Sequence, residues 1–223
     1  MAHHGSVTAA RSIVQGDGLL WMREHPAPAH ASIVTSLPDV SELSELSFAD
    51  WRAWFVDSAQ AVLRWLPPEG FAIFYQSDVL HAGVWVDKAH LVLTAADAEN
   101  AVLVWHKIVC RLPPGASHYG RASYSHMLCL TRGPVPEPQH ASPDVLPSAG
   151  KKSWTRGMGS AACELACEYL STHTPTRLVV DPFCGRGSVL AVASRLGFPV
   201  IGVELSARRC RAARAAIGAE HGE

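Results

Sequence analysis

The chain has 223 residues, 48% of them hydrophobic and 17% charged, and a formal net charge of −1. A chain of this length can bury one large core, so we expect a single domain over residues 1–223. Because the net charge is close to zero, an anionic partner would have to be held by a local positive patch and not by the electrostatic field of the whole protein. No apolar run reaches the ~18 residues needed to cross a bilayer, so we predict no membrane span.

The cysteines and histidines give little sign of disulfides or of a metal centre. No CxxC pair occurs among the six cysteines, which favours reduced thiols and a cytoplasmic location. Cys163 and Cys167 share a face of a predicted helix, where we expect buried packing residues; the alternative, a metal-binding pair, lacks a second pair at ligand spacing. The twelve histidines are dispersed, so the sequence predicts no metal site.

Apolar runs and helical periodicities alternate through the first half of the chain. The helix predicted over 47–66 has Ser47 as its N-cap and apolar residues at helical spacing. Pro38 ends the strand before it, because proline cannot continue a central ladder. In chain order, we predict a strand, turn and helix start (12–22), a buried strand and turn (31–39), the helix 47–66, a strand (71–76), a helix (84–101), and strands at 102–109 and 123–131.

A proline-rich connector separates the two halves of the chain. Residues 133–150 contain five prolines and two glycines, a composition typical of a surface connection between 12–132 and 151–223. The second half has a helix with Ser160 as its candidate N-cap, a strand (177–180), a helix (188–197), a strand (199–205) and a final helix. This alternation predicts a largely parallel α/β sheet with helices on both faces.

The final helix is basic. Arg208, Arg211 and Arg214 recur at intervals of three residues, and Arg209 adds a fourth positive charge. Such a stripe can hold phosphates, but arginines late in a helix also complement its dipole at a solvated end, and the sequence leaves both interpretations open.

The most informative stretch is DPFCGRGS (181–188), which joins a predicted strand to a predicted helix. It lacks the lysine of a phosphate-binding P-loop, and Leu190 stands where a dinucleotide-binding loop has its third small residue. S-adenosylmethionine fits better, because Gly185 and Gly187 let the backbone approach a cofactor closely. Asp181 can accept a hydrogen bond from the methionine ammonium group.

A second acidic residue stands where a nucleoside ligand needs one. Glu204 lies near the end of the strand 199–205, seventeen residues after Gly187, and can accept hydrogen bonds from both ribose hydroxyls. The alternative is an ordinary strand-turn-helix with a solvated glutamate.

The segment DPFCGRGSVLAVASRLGFPVIGVELS (181–206) resembles the cofactor motifs of amino-methyltransferases that act on exocyclic base nitrogens. QGDGLLWM (15–22) and GRASYSHMLCLTRG (120–133) resemble stretches of that family's catalytic half. In its most common, permuted arrangement the catalytic half comes first. The resemblance implies a Rossmann-like class I methyltransferase fold with circularly permuted motif order, residues 12–132 being the catalytic half and 151–223 the cofactor half. It also implies cofactor contacts from Asp17, Asp181, Phe183, Gly185, Gly187, Ser188 and Glu204.

The catalytic tetrapeptide of that family corresponds to Ser36-Leu37-Pro38-Asp39. In the family, the first side chain and the next backbone carbonyl accept hydrogen bonds from the target amino group, and an aromatic fourth residue stacks on the flipped base. Ser36 and Leu37 keep both acceptors, and a serine in first place resembles the cytosine-N4 enzymes. Asp39 replaces the aromatic residue, and its carboxylate can orient or deprotonate a substrate, or only cap the coming turn.

Four more polar residues are candidates for the same substrate-binding site. Asp78 follows a predicted strand, and ligands of α/β sheets bind at the carboxyl ends of strands. Tyr124 stands where the family often has a ring near the target, which makes it a catalytic candidate. Lys107 and Arg121 are substrate-binding candidates beside Asp78, although each of the four also suits a structural role.

The size of the chain bears on the substrate. No insert of the size of a DNA target-recognition region is present, so the sequence favours methylation of RNA, such as tRNA, over DNA. Two alternatives stay open: methyl transfer to a small molecule or protein, and a cofactor-binding partner subunit without activity. A homodimer or a partner protein is compatible with each.

Overall fold

The computed structural model describes residues 10–137, 142–155 and 157–218, and one large sheet organises this part of the chain. The sheet has eight strands in the order β1-β10-β9-β2-β3-β7-β6-β8, and β4 and β5 form a separate hairpin. The strands are β1 (Arg11–Gln15), β2 (Ala31–Thr35), β3 (Phe71–Gln76), β4 (Val79–His81), β5 (Val84–Val86), β6 (Val102–Cys110), β7 (Tyr124–Thr131), β8 (Val145–Leu146), β9 (Leu178–Asp181) and β10 (Val200–Glu204).

The prediction of a mostly parallel sheet is confirmed. The first five strands in the sheet order, β1, β10, β9, β2 and β3, run parallel to one another, and β8 runs parallel to β6. Strand β7 runs antiparallel to both β3 and β6, which it can do because a loop, and not a crossover helix, connects β6 to it. The late strand β9 lies in the middle of the sheet, between β10 and β2.

The sheet is covered by helices on both faces, each face with its own core. The helices are α1 (Gly18–Glu24), α2 (Phe48–Trp65), α3 (Lys88–Ala98), α4 (Ser160–His173), α5 (Ser188–Arg195) and α6 (Ala207–Gly218), and Val40–Glu42 forms a short 3₁₀ helix. Successive strand residues separate onto the two faces, since Ile33 packs with α1, α2 and α3 whereas Val34 packs with α4, α5 and α6. Cys163 and Cys167 are fully buried, as expected for packing residues.

Two local predictions need correction. The helix predicted over 84–101 begins at Lys88, because Val84–Val86 pairs with Val79–His81 across a turn in which Ala82 and Gly83 have positive φ. Asp87 then caps the helix, accepting a hydrogen bond from the His90 backbone at 3.0 Å.

The second correction concerns α4, whose N-cap is Gly159, so that Ser160 is the first helical residue. Within the predicted connector 133–150, residues 138–141 lie outside the described residues. No helix in the described part of the chain combines the length and apolarity that crossing a membrane requires.

Candidate functional site

The carboxyl ends of β1, β2, β9 and β10 surround one cavity of about 670 Å³. The chain leaves β9 through α5 to β10 on one side and leaves β2 through α2 to β3 on the other, so the sheet changes winding direction between β9 and β2. Ligands of open α/β sheets bind at such a switch point, and the cavity has the size of a small-molecule site. Of the candidates from the sequence, those lining it are Asp17, Ser36, Leu37, Pro38, Asp181, Phe183, Gly185, Ser188 and Glu204.

Asp181 connects the two central strands at the base of this cavity. Its Oδ1 accepts hydrogen bonds from the Thr35 hydroxyl at 2.7 Å and from the Phe183 backbone N–H at 3.1 Å. Burial raises the pKa of Asp181 to about 7, although both hydrogen bonds oppose the rise. Because this carboxyl group is buried, its ionised form would attract a positively charged ligand more strongly than an exposed carboxylate does.

The loop after Asp181 is shaped by its glycines. Gly185 and Gly187 have φ values of 55° and 78°, a region that side chains with a Cβ rarely adopt. Gly187 is the N-cap of α5 and does not line the cavity; a Cβ there would meet Ala213 at 3.1 Å. Its role in this structure is thus to turn the loop and to let α5 pack against α6.

Trp154 covers the same loop and lines the cavity, a position that sequence reasoning missed. A Cβ added at Gly185 would lie 3.1 Å from Cζ2 of the Trp154 ring. The guanidinium carbons of Arg186 and Arg209 lie 5.5 Å and 5.6 Å from the ring centroid, within cation–π range. Trp154 precedes α4 in an irregular segment, where no periodic pattern in the sequence could have placed it.

The loop after β1 packs directly on the loop after β9. A Cβ at Gly18 would lie only 2.0 Å from the carbonyl oxygen of Pro182, so the contact requires glycine. Asp17 caps α1 by accepting a hydrogen bond from the Leu20 N–H at 2.8 Å. The Gly-Asp-Gly turn therefore forms one wall of the cavity.

Glu204 lies at the end of β10 and is 8% exposed. Its Oε1 accepts a hydrogen bond from the Ser206 N–H at 2.8 Å and lies 3.7 Å from Nη1 of Arg209. Arg209 also approaches Glu42 at 3.9 Å, and Arg214 donates to the Ile13 carbonyl at 2.8 Å. Two of the four arginines in the basic stripe thus make contacts within the protein.

The predicted tetrapeptide divides into two parts. Ser36, Leu37 and Pro38 line the cavity, and the Pro38 carbonyl accepts a hydrogen bond from Trp51 Nε1 at 3.2 Å. Asp39 does not line the cavity; its Oδ2 lies 3.2 Å from the ammonium of buried Lys88. This geometry does not favour Asp39 as a base acting on a ligand in the cavity.

The other four candidates also lie outside the cavity lining. Lys107 instead donates to the Ser142 hydroxyl at 2.9 Å and the Pro143 carbonyl at 2.8 Å, because β6 borders the connector. Arg121 is exposed on the loop before β7. Asp78 and Tyr124 do meet, with the tyrosine hydroxyl donating to Asp78 Oδ2 at 3.2 Å.

His126 joins the pair formed by Asp78 and Tyr124. Its Nε2 lies 3.1 Å from Asp78 Oδ2, and its Nδ1 lies 3.0 Å from Nε2 of His106. Burial raises the pKa of Asp78, but hydrogen bonds from His126, the Lys88 backbone and Tyr124 outweigh burial, so its pKa lies below the ordinary value. These side chains form a second polar cluster, outside the cavity.

Comparison with known proteins identifies the fold. No family model and no curated protein sequence matches the chain. A Thermus thermophilus protein, TTHA0409, provisionally described as a DNA modification methylase and solved with S-adenosyl-L-methionine, has a TM-score of 0.74 and 18% identity over 96% of each chain. PvuII DNA methyltransferase (cytosine-N4-specific) has a TM-score of 0.72 and 18% identity over 94% of this chain and 86% of that one.

A third structure, the M1.HpyAVI–SAM complex, has a TM-score of 0.63 and 15% identity over 93% of this chain and 98% of that one. These likenesses confirm the α/β fold of class I methyltransferases.

Proposed function

We propose that the chain is an S-adenosylmethionine-dependent methyltransferase of the permuted type that acts on an exocyclic amino group of a nucleic-acid base. One observation carries the proposal: Thr35, at the end of β2, donates to Asp181, at the end of β9, at 2.7 Å. This hydrogen bond holds Ser36 and the DPFCGRGS loop (181–188) next to each other at the edge of the same cavity. A methyl donor held by the loop would therefore stand beside the first residue of the tetrapeptide.

The residues around the cavity suit S-adenosylmethionine chemically. Asp181 offers a carboxylate for the ammonium group and Glu204 one for the ribose hydroxyls, while Gly18 and Gly185 let the loops and Trp154 that line the cavity pack closely. Trp54, Phe183 and Trp154 supply aromatic faces for an adenine or a target base. When bound, this cofactor supplies an electrophilic methyl group on a sulfonium.

The protein's part in the reaction is to orient the target nitrogen. The Ser36 hydroxyl and the Leu37 carbonyl would accept hydrogen bonds from the amino group, which localises its lone pair toward the methyl donor. Asp39 then has a positioning role: its ion pair with Lys88 holds the segment that follows Ser36 and Leu37. This role replaces the general-base role that the sequence suggested.

DNA is the first substrate to test. This chain spans 96% and 86% of the length of the two neighbours that are described as DNA methylases, so a compact chain without a large insert gives no reason to prefer RNA. The preference for RNA predicted from chain size therefore lacks support. The six free cysteines fit the reducing cytoplasm expected for such an enzyme.

A labelled-methyl assay tests the proposal. The protein is incubated with methyl-labelled cofactor and genomic DNA, tRNA or rRNA, and the modified nucleoside is identified by mass spectrometry. Transfer to DNA is expected, and Ser36→Ala should lower it ~100-fold while cofactor affinity by calorimetry stays within a factor of two. Cofactor binding without transfer to any of the three polymers would overturn the proposal.

That negative outcome would favour the second candidate, a cofactor-binding partner subunit. The observation behind this candidate is the ion pair between Asp39 and Lys88. The amino-methyltransferases that the sequence resembles have an aromatic residue at the position of Asp39, and its ring stacks on the target base. Transfer to a small molecule or protein, with none to nucleic acid, would instead favour the small-molecule or protein alternative.

A further inference from the structure

The polar cluster outside the cavity brings together three groups that bind metal ions. Asp78 follows β3, Asp87 caps α3, and His126 lies on β7. One ligand atom from each lies within 4.8 Å of the other two. Asp87 follows Asp78 by nine residues and His126 follows Asp87 by 39, a spacing that matches no metal-binding motif, so the sequence predicted no metal site.

The distances suit a shared cation. His126 Nε2 lies 3.1 Å from Asp78 Oδ2 and 3.8 Å from Asp87 Oδ1. Two ligand atoms that each stand ~2.1 Å from a tetrahedral zinc ion are about 3.4 Å apart, which falls between these two distances. Small side-chain rotations would bring all three atoms to coordination distance.

Each candidate ligand is already oriented by a second hydrogen bond. His106 Nε2 contacts the far nitrogen of His126, Nδ1, at 3.0 Å. When a cation replaces the Nε2 proton that bonds to Asp78, Nδ1–H can donate to His106 and the Nε2 lone pair is available to the cation. The Lys88 backbone N–H holds the other oxygen of Asp78 at 3.0 Å. The His90 backbone N–H holds Asp87 at 3.0 Å. Outer hydrogen bonds of this kind fix the ligands of metal sites.

We propose that Asp78, Asp87 and His126 bind one divalent first-row transition-metal ion such as Zn²⁺. Two carboxylates and one imidazole leave a coordination position for water, and Tyr124, bonded to Asp78 at 3.2 Å, borders the site. The cation would fasten the end of β3, the start of α3 and β7 to one another. The proposal does not depend on methyltransferase activity.

The test uses the full chain after chelator treatment and measures binding of Zn²⁺, Mn²⁺ or Co²⁺ alone, by calorimetry and elemental analysis. His3 and His4, near the N-terminus, are a competing pair of ligands, so every protein carries His3→Ala and His4→Ala. About one ion per chain with a dissociation constant below ~100 μM is expected, together with a rise in melting temperature. Co²⁺ should give a visible absorption band.

Asp87→Asn is the decisive variant, because Asp87 is 59% exposed and asparagine caps a helix equally well. It should weaken Zn²⁺ binding at least 10-fold, abolish the metal-dependent rise in melting temperature and leave the metal-free melting temperature unchanged. His106→Leu, which removes the outer hydrogen-bond partner of His126, should weaken binding about 10- to 100-fold. Asp57→Asn, on the exposed face of α2, is the matched control and should change nothing.

Two results would overturn the proposal. One is wild-type protein that binds none of the three ions below ~100 μM. The other is unchanged affinity in Asp87→Asn, which would assign the bound ion to another part of the chain.

Discussion

Lys88 and Asp39 form an ion pair with Nζ and Oδ2 3.2 Å apart, and the Lys88 side chain is 3% exposed. The ammonium also lies 5.7 Å and 5.9 Å from the ring centroids of Trp51 and Phe55. Burial lowers the pKa of Lys88, and the charge of Asp39 opposes that effect. The fourth residue of the tetrapeptide is thus tied to the N-terminus of α3.

Removing the carboxylate should therefore destabilise the protein. Asp39→Asn is expected to lower the free energy of unfolding by about 2 kcal/mol, below the ~3–5 kcal/mol seen for fully buried pairs, because Asp39 is 35% exposed. Urea denaturation measures this loss. Asp39→Asn with Lys88→Met should cost less than the sum of the two single changes, since neither charge is then left alone. Strict additivity would show that the pair is not coupled.

Gly18→Ala tests the contact between the two cofactor-side loops. The new Cβ would lie 2.0 Å from the Pro182 carbonyl oxygen, and because this atom is backbone, the loop has to move. We expect a loss of about 1–3 kcal/mol of stability and at least a 10-fold weaker cofactor affinity, measured by denaturation and calorimetry. Gly16→Ala is the matched control for the loss of stability, because its Cβ would meet no protein atom within 4 Å. Equal losses of stability in the two variants would contradict the proposed packing.

The elements that the sequence predicted correctly depend on local signals. Phe71–Gln76 is a strand because a short apolar run between turn residues specifies one, and Ser47 caps α2 because Asp50 follows at the right spacing. The hairpin of Val79–His81 and Val84–Val86 was missed because its second strand continues directly into the apolar pattern of α3.

The sequence predicted those residues of the candidate site that lie at or just after the end of a strand. It missed contacts between residues that are far apart in the chain. Asp181 ends β9 and Ser36 directly follows the neighbouring strand β2, so their sequence motifs were sufficient to bring them to one cavity. The partner of Asp39 stands 49 residues further along the chain, at Lys88, and no spacing rule connects them. Trp154 belongs to an irregular segment, and only the folded chain places its ring on the loop of Gly185.

Trp154 is expected to matter for cofactor binding more than for folding. Its ring lines the cavity beside Gly185, and the guanidinium groups of Arg186 and Arg209 lie within cation–π range of it. Trp154→Ala should weaken cofactor binding about 10-fold, with a change in melting temperature of only a few degrees. Trp85 lies on the β4–β5 hairpin and is 50% exposed. Trp85→Ala is therefore the control and should leave cofactor affinity unchanged. Cofactor-dependent quenching of tryptophan fluorescence should shrink in Trp154→Ala alone.

The raised pKa of Asp181 predicts a specific dependence of stability on pH. Burial raises this pKa from 3.8 to about 7, so between these values the folded state holds a proton that the unfolded state has lost. The stability contributed by this proton is complete below about pH 4 and is lost as the pH rises to about 7. Asp181→Asn removes the titration. It should match the wild type near pH 4 and exceed it in unfolding free energy by up to about 4 kcal/mol at pH 8.

The same carboxyl group should couple cofactor binding to protons. A positively charged ligand beside Asp181 favours the ionised form, so binding releases a proton at pH 6–7 and affinity rises up to about 10-fold between pH 6 and pH 8. Calorimetry in buffers of different ionisation enthalpy counts the released protons directly. Asp181→Asn should bind more weakly, release no such proton and show a flatter profile. A proton count near zero in the wild type, with an affinity that does not depend on pH, would show that Asp181 is already ionised or does not face the cofactor.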